Sequence, residues 1–264
     1  AARGDAGGLR LLRPQQRAGL TRVSGGEDGY DAALARGREM YAGTRIGRPG
    51  HGGGYWLLWA GAQFLRLRWA ISMTGADRVQ PGPAILVGNH LAFMDPVMVG
   101  LANRWRLYYF TKSEAFEGRA GLFFRLAGQI PLRRGDEVAT NWALEMSSHV
   151  LGEGHRLALY PEATRSPDGA SLHRLYRRVL VPVLRANPGI PVHAVSISYP
   201  GTRRGRKRVD LRFSPALPLD LDAMNATELT DAVRDAILDL GGMPYVDRYG
   251  LTVKKSDPHG SGAP

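Results

Sequence analysis

Apolar residues in this chain come in short runs divided by glycine, proline and charge, and the runs follow two periods. Ala84–Val87 is continuously apolar and stops at Gly88-Asn89-His90, the pattern of a buried strand followed by a turn. Arg106–Thr111, Gln129–Leu132, Arg156–Tyr160, Pro191–Tyr199 and Val209–Phe213 read as further strands. Helical spacing predicts helices over Pro96 to about Asn103, Ser113–Ala127, Glu137–Leu151 (capped by Asp136) and Ser171–Ala186. A last helix opens at the capping-box pattern Asn225-x-x-Glu228. It carries Leu229, Val233, Ile237 and Leu240 on one face and ends at Gly241. Strands alternating with helices predict an α/β fold: a mixed, mainly parallel central sheet flanked by helices.

Tyr55–Met73 is the most apolar stretch, with Trp56, Trp59 and Trp69 in it and Arg66 and Arg68 inside. A spanning helix wants about 20 apolar residues, and two interior arginines are costly there. The pattern suits a helix lying in a membrane interface, or packed partly on the domain. Residues 1–50 are rich in Gly, Arg and Ala, with no persistent apolar period and no signal-peptide pattern. They read as a disordered basic tail, with at most a short helix near Asp31–Met40. The expected organisation is therefore a tail over 1–50, an apolar membrane-associated helix over 51–76, a main domain over 77–250 and a flexible tail over 251–264.

Lysine and arginine number 35 against 24 acidic residues, a formal net charge of +11. A basic surface favours anionic partners: phospholipid headgroups, phosphorylated substrates, coenzyme A, an acidic carrier protein or nucleic acid. Arg203–Arg208 reads first as a solvated hairpin loop. The chain has no cysteine, so neither a disulfide nor a thiol nucleophile is available. No Ser sits in G-x-S-x-G, and Walker A, G-x-G-x-x-G and H-E-x-x-H are missing. His51-Gly-Gly-Gly, without that serine elbow, reads as a flexible linker.

The turn after Val87 holds His90, and Asp95 lies five residues on. The strand end is where open α/β sheets handle ligands. A histidine there can take a proton from an attacking hydroxyl, with the carboxylate fixing its tautomer. Asp95-Pro96 is equally an N-cap followed by proline at the first helical position, and the two readings are compatible. Three further stretches follow in order: GQIPLRR (128–134), YPEATRS (160–166) and IPV (190–192). With NHLAFMD (89–95) they resemble the four blocks of the glycerolipid acyltransferases, the group that includes 1-acylglycerol-3-phosphate acyltransferase. The resemblance spans about residues 84–200.

That resemblance implies roles residue by residue. His90 is the base, Asp95 orients it, and Asn89 stands beside them at the substrate. Arg134, with Arg133 next to it, contacts the acceptor's phosphate. Glu162, Thr164 and Arg165 hold the glycerol-phosphate, and Pro191 is structural or lines the acyl site. Ala163 stands where the family commonly has Gly, and Arg177-Arg178-Val179 where a Lys-x-Gly often follows. The implied reaction is O-acyl transfer from an acyl-CoA or acyl carrier protein thioester to a lysophospholipid, by default lysophosphatidic acid. It needs no metal and no cofactor beyond the thioester co-substrate. The implied location is peripheral, on the cytoplasmic face of an anionic membrane, and nucleic acid is not the expected partner. Phe116, Phe123, Phe124 and Leu126 read as core, with an acyl-pocket role as the alternative. Two other functions stay open on the residues alone: a non-catalytic binding module for anionic lipid or nucleic acid, and a hydrolase in which His90 activates water.

Overall fold

The computed structural model describes residues 27–102 and 105–256. At its centre lies β2 (Ala84–Gly88), all five residues buried, with parallel neighbours on both sides. One neighbour is β5 (Arg156–Leu159), followed outward by β3 (Leu107–Lys112) and β4 (Ile130–Leu132), all parallel. The other is β7 (Val192–Ser198), which pairs antiparallel with β9 (Arg206–Ala216). On the far edge β1 (Trp69–Thr74) runs parallel to β9. The sheet is mixed and mainly parallel, as the alternation of strands and helices predicts. Strands buried on both faces read as unbroken apolar runs, which is why β2 was legible. Its side chains alternate between two cores. Ile85 and Val87 pack with α6 (Glu137–Gly152), α7 (Arg177–Ala186) and α8 (Ala226–Gly241). Ala84 and Leu86 pack with Met98 and Val99 of α4 (Asp95–Ala102). Thr202–Arg203, the short β8, forms a hairpin on β9, so the basic run lies at a hairpin, but only Arg204-Gly205 make its turn and Arg206–Arg208 already belong to the strand.

Several expectations change. Residues 27–50 are not a tail: α1 (Glu27–Met40) packs on α6, with Ala33, Leu34 and Tyr41 buried. Trp142 Nε1 donates to Ala33 O at 2.6 Å. Gly37 lets the two helices approach, because a β-carbon there would sit 2.2 Å from the Trp142 ring. The rest of that predicted tail, residues 1–26, lies outside the described residues. His51-Gly-Gly-Gly is no linker either. Gly50 N and Gly54 N donate to Gly128 O and Leu126 O, each at 3.1 Å. A β-carbon at Gly52 would sit 2.4 Å from the carbonyl carbon of Ala127, so only glycine permits that backbone contact.

The single helix expected over 51–76 is three elements: α2 (Tyr55–Ala62), α3 (Leu65–Arg68) and then β1. Sheet pairing with β9 overrides helical propensity from Trp69 onward. The segment is tied to α4, because Trp59 Nε1 donates to Gly100 O at 3.1 Å and Arg66 Nη2 to Leu101 O at 2.6 Å. No described helix is long and apolar enough to cross a membrane. The helix predicted over Ser113–Ala127 is shorter, α5 (Gly118–Leu126), preceded by a 3₁₀ turn over Ser113–Phe116 and opening at Gly118 with φ +62°. The helix predicted from Ser171 begins only at Arg177, because Leu172–His173 forms β6. β6 pairs with β10 (Tyr245–Val246), which leads into α9 (Gly250–Ser256). Residues 251–256 are thus packed structure rather than tail, and 257–264 lie outside the described residues.

Candidate active site

His90 follows β2 directly, flanked by residues at the ends of both neighbouring strands. Its Nδ1 lies 2.8 Å from Asp95 Oδ2. The imidazole is about one-fifth exposed, and the carboxylate is fully buried. The spacing works because Leu91 N and Ala92 N also donate to Asp95 Oδ2, at 2.7 and 2.9 Å. Those bonds close the 90–95 loop ahead of α4; because Met98 N bonds to Met94 O, the N-cap place expected for Asp95 falls to Met94, and the Asp95 side chain serves the loop and the histidine. The other oxygen, Oδ1, accepts from the Tyr199 hydroxyl at the end of β7. Burial, reinforced by the facing Asp95 carboxylate, holds the Tyr199 phenol well above its ordinary range and keeps it a donor. Four donors therefore converge on one buried carboxylate. With Asp95 accepting at Nδ1–H, the other ring nitrogen carries the lone pair, the tautomer a general base needs. On the opposite side the Tyr160 ring lies against the imidazole, centroids 4.7 Å apart.

Glu162 is fully buried, and its two oxygens accept from backbone: Oε1 from His90 N at 2.8 Å and Oε2 from His173 N at 2.9 Å. It ties the 162–166 loop to the histidine turn, and no arginine shares it among the described hydrogen bonds. Burial raises its carboxyl to about 7, against those two backbone bonds. Ser166 N donates to His90 O at 2.7 Å and completes the join. Two residues expected at the substrate do other work. The buried Asn89 side chain spans to β7, with Nδ2 donating to Ile197 O at 2.9 Å and Ile197 N donating to Oδ1 at 2.8 Å. Arg133 turns to the N-terminal segment: it bonds Met40 O at 3.1 Å and Asp136 at 3.3 Å, and covers the Tyr41 ring.

Arg134, one residue on, points the other way and donates to Ala163 O in the loop after β5. Thr164 Oγ1 accepts from Lys254 Nζ at 3.1 Å, and Arg165 is exposed beside them. An open apolar groove lies next to the first turn of α4, lined among others by Tyr55, Trp59, Pro96, Val97, Leu101 and Phe123. Of the four residues weighed for an acyl pocket, Phe123 lines the groove, and Phe116 and Phe124 are buried in the interior. Among the described residues no group of three or more histidines and carboxylates could hold a metal.

Tyr160, Tyr199 and Lys254 were not singled out from the sequence. The tyrosines end strands whose adjacency to β2 is known only once the sheet order is known. Lys254 sits where the pattern suggested the start of a tail.

Residues 70–198 match a family model described as acyltransferase. No curated protein matches the sequence. The fold is similar to the crystal structure of the 1-acyl-sn-glycerophosphate (LPA) acyltransferase PlsC from Thermotoga maritima. That likeness has a TM-score of 0.51 and 20% identity, covers 86% of this chain and 81% of that one, and is one of fold. The matched segment holds the His90–Asp95 pair and the 162–166 loop together, and it marks this chain as an acyltransferase.

Proposed function

We propose that the protein moves an acyl group from an acyl-CoA or acyl carrier protein thioester to the free hydroxyl of a lysophospholipid, lysophosphatidic acid first among them. The carrying observation is the 2.8 Å contact of His90 Nδ1 with a buried, fully hydrogen-bonded Asp95. The His90 lone pair takes the proton as the acceptor oxygen attacks the thioester carbonyl. The C–O bond forms, the C–S bond breaks, and the departing thiolate recovers the proton from the imidazolium. Asp95 stabilises that imidazolium, and Tyr199 holds Asp95 in place. A thioester is already activated, so no covalent enzyme intermediate is required. Arg134 and Arg165 bind the acceptor's phosphate; arginine's planar fork suits that geometry. Glu162 acts by fixing the His90 turn rather than by touching the glycerol. The apolar groove beside α4 takes the acyl chain, and its position next to the dyad supports this.

The test is thiol release from a long-chain acyl-CoA, with and without lysophosphatidic acid, for wild type and His90→Ala. A rate that depends on lysophosphatidic acid and falls by a factor on the order of 10² to 10⁴ in the variant is expected. A folded variant with near-normal turnover would sink the mechanism. Thiol release independent of the acceptor would indicate a hydrolase.

A further inference from the structure

The C-terminal segment beyond β10 is built onto the 162–166 loop. β10 runs parallel to β6, pairing Tyr245 with Leu172 and Val246 with His173. Arg174 N donates to Arg248 O at 3.1 Å, and the Tyr176 and Tyr249 rings stack at 4.2 Å. Helix α9 then starts against Thr164: a β-carbon at Gly250 would lie 2.9 Å from Thr164 Cγ2. One turn on, Lys254 Nζ reaches Thr164 Oγ1. Three cations from three separate elements meet here, Lys112 ending β3, Arg165 after β5 and Lys254 on α9. None of the three has an ion-pair partner among the described residues, and the neighbouring carboxylate, Glu162, is occupied by two backbone N–H groups. Burial, then repulsion from Arg165 and Lys112, lowers the Lys254 ammonium from its usual range. Arg177 is turned instead to Thr227 of α8, at 2.8 Å. Converging positive charge without a protein counter-ion favours an anionic ligand. We propose that Lys254 is a binding residue for the phosphomonoester of the lipid acceptor, acting with Arg165 and held in place by the 245–256 segment. The proposal rests on the acyl-transfer reading and names a residue outside the family-matched span.

Coenzyme A also carries phosphate, so the test separates donor from acceptor. Initial rates of thiol release are measured at varied lysophosphatidic acid and at varied long-chain acyl-CoA, for wild type, Lys254→Gln and Lys254→Arg. Binding of lysophosphatidic acid is measured in parallel by equilibrium titration without donor. The loss of a charge-assisted contact should raise the acceptor KM and the dissociation constant on the order of 10- to 100-fold in Lys254→Gln. The donor KM should stay unchanged, and Lys254→Arg should recover most of the loss. A purely structural lysine would lower the unfolding midpoint and kcat without this split. An unchanged acceptor KM and dissociation constant overturns the proposal while leaving acyl transfer standing. A rise confined to the donor KM also overturns it, by assigning the cluster to coenzyme A. If wild type binds lysophosphatidic acid but does not acylate it, the titration alone decides: weaker binding by Lys254→Gln upholds the site, and equal binding rejects it. Failure of wild type to bind rejects it too.

Discussion

Ala163 holds φ at +55°, a left-handed backbone that glycine adopts freely and alanine does not. The resemblance puts Gly at this position, and the structure supplies the reason: the loop must turn sharply after Pro161-Glu162 to present Thr164 and Arg165. The left-handed conformation costs an L-residue about 1–2 kcal/mol, partly offset by glycine's greater freedom in the unfolded chain. Ala163→Gly should therefore stabilise the fold by up to about 1 kcal/mol, read as a rise of about 2–4 °C in Tm; a fall would show that the loop is not held in this conformation. Glu162 gives a pH prediction with a definite sign. Its folded-state value, about 7, lies above the ordinary 4.5, so the folded state binds a proton more tightly than the unfolded one. That contribution is present below about pH 4.5 and is lost as pH rises through 7. Urea unfolding of wild type and Glu162→Gln at several pH values should show wild type losing stability relative to the variant across this window, by up to about 3 kcal/mol. A constant difference would mean that Glu162 keeps an ordinary carboxyl in place.

Elements buried on both faces or closed by local chemistry were legible in the sequence; those decided by long-range pairing were not. β2 was readable because every residue from Ala84 to Val87 is apolar and the run stops at a glycine. α6 and α8 were readable from their caps: Asp136 accepts from Ala139 N at 3.0 Å, and Asn225 and Glu228 form the reciprocal capping box. His90 and Asp95 stood out because their spacing is local, and Arg134, Glu162 and Arg165 through their blocks. What the pattern could not convey was the use made of each. Arg133 and Arg134 are indistinguishable as a basic pair, yet successive residues leaving β4 point to opposite sides. Asn89 sits in the most distinctive block and serves β7 instead of a ligand. The 245–256 segment escaped because β6 and β10 are two-residue strands, too short to leave a period. α1 escaped because its buried stripe, Tyr30, Ala33, Leu34, Gly37 and Tyr41, mixes small residues with large ones inside a stretch rich in Gly, Ala and Arg. Helix existence was visible over Tyr55–Met73, but the change to strand at Trp69 depends on a partner more than 130 residues away.

At the scale of the whole molecule, charge and exposed apolar surface describe how this fold reaches a lipid substrate. Of the large apolar side chains that are exposed among the described residues, all but Val138 fall between residues 56 and 126. Leu57, Phe64 and Leu67 on the α2–α3 segment are each about three-quarters exposed, and Phe93 extends from the His90 loop itself. Leu122 and Leu126 lie on α5, which packs against α2 and whose Phe123 lines the groove. Apolar side chains in such number, beside a net charge of +11, suit an interface where hydrocarbon and anionic headgroups meet. Docking there would set the groove and His90 against the bilayer, so that an acceptor could be drawn in without crossing water. The expectation is that the protein sediments with vesicles containing anionic phospholipid, and less so as salt screens the charge. Phe64→Glu with Leu67→Glu should lower vesicle partitioning on the order of tenfold or more, the worth of one or two buried side chains. Because both side chains are exposed, the unfolding midpoint should not move. Turnover of bilayer-embedded acceptor should fall with partitioning, while turnover of a short-chain acceptor below its critical micelle concentration should be retained. Equal partitioning of the variant and wild type would reject this surface as the membrane-facing one, and loss of turnover with the soluble acceptor would instead make Phe64 and Leu67 part of the catalytic fold.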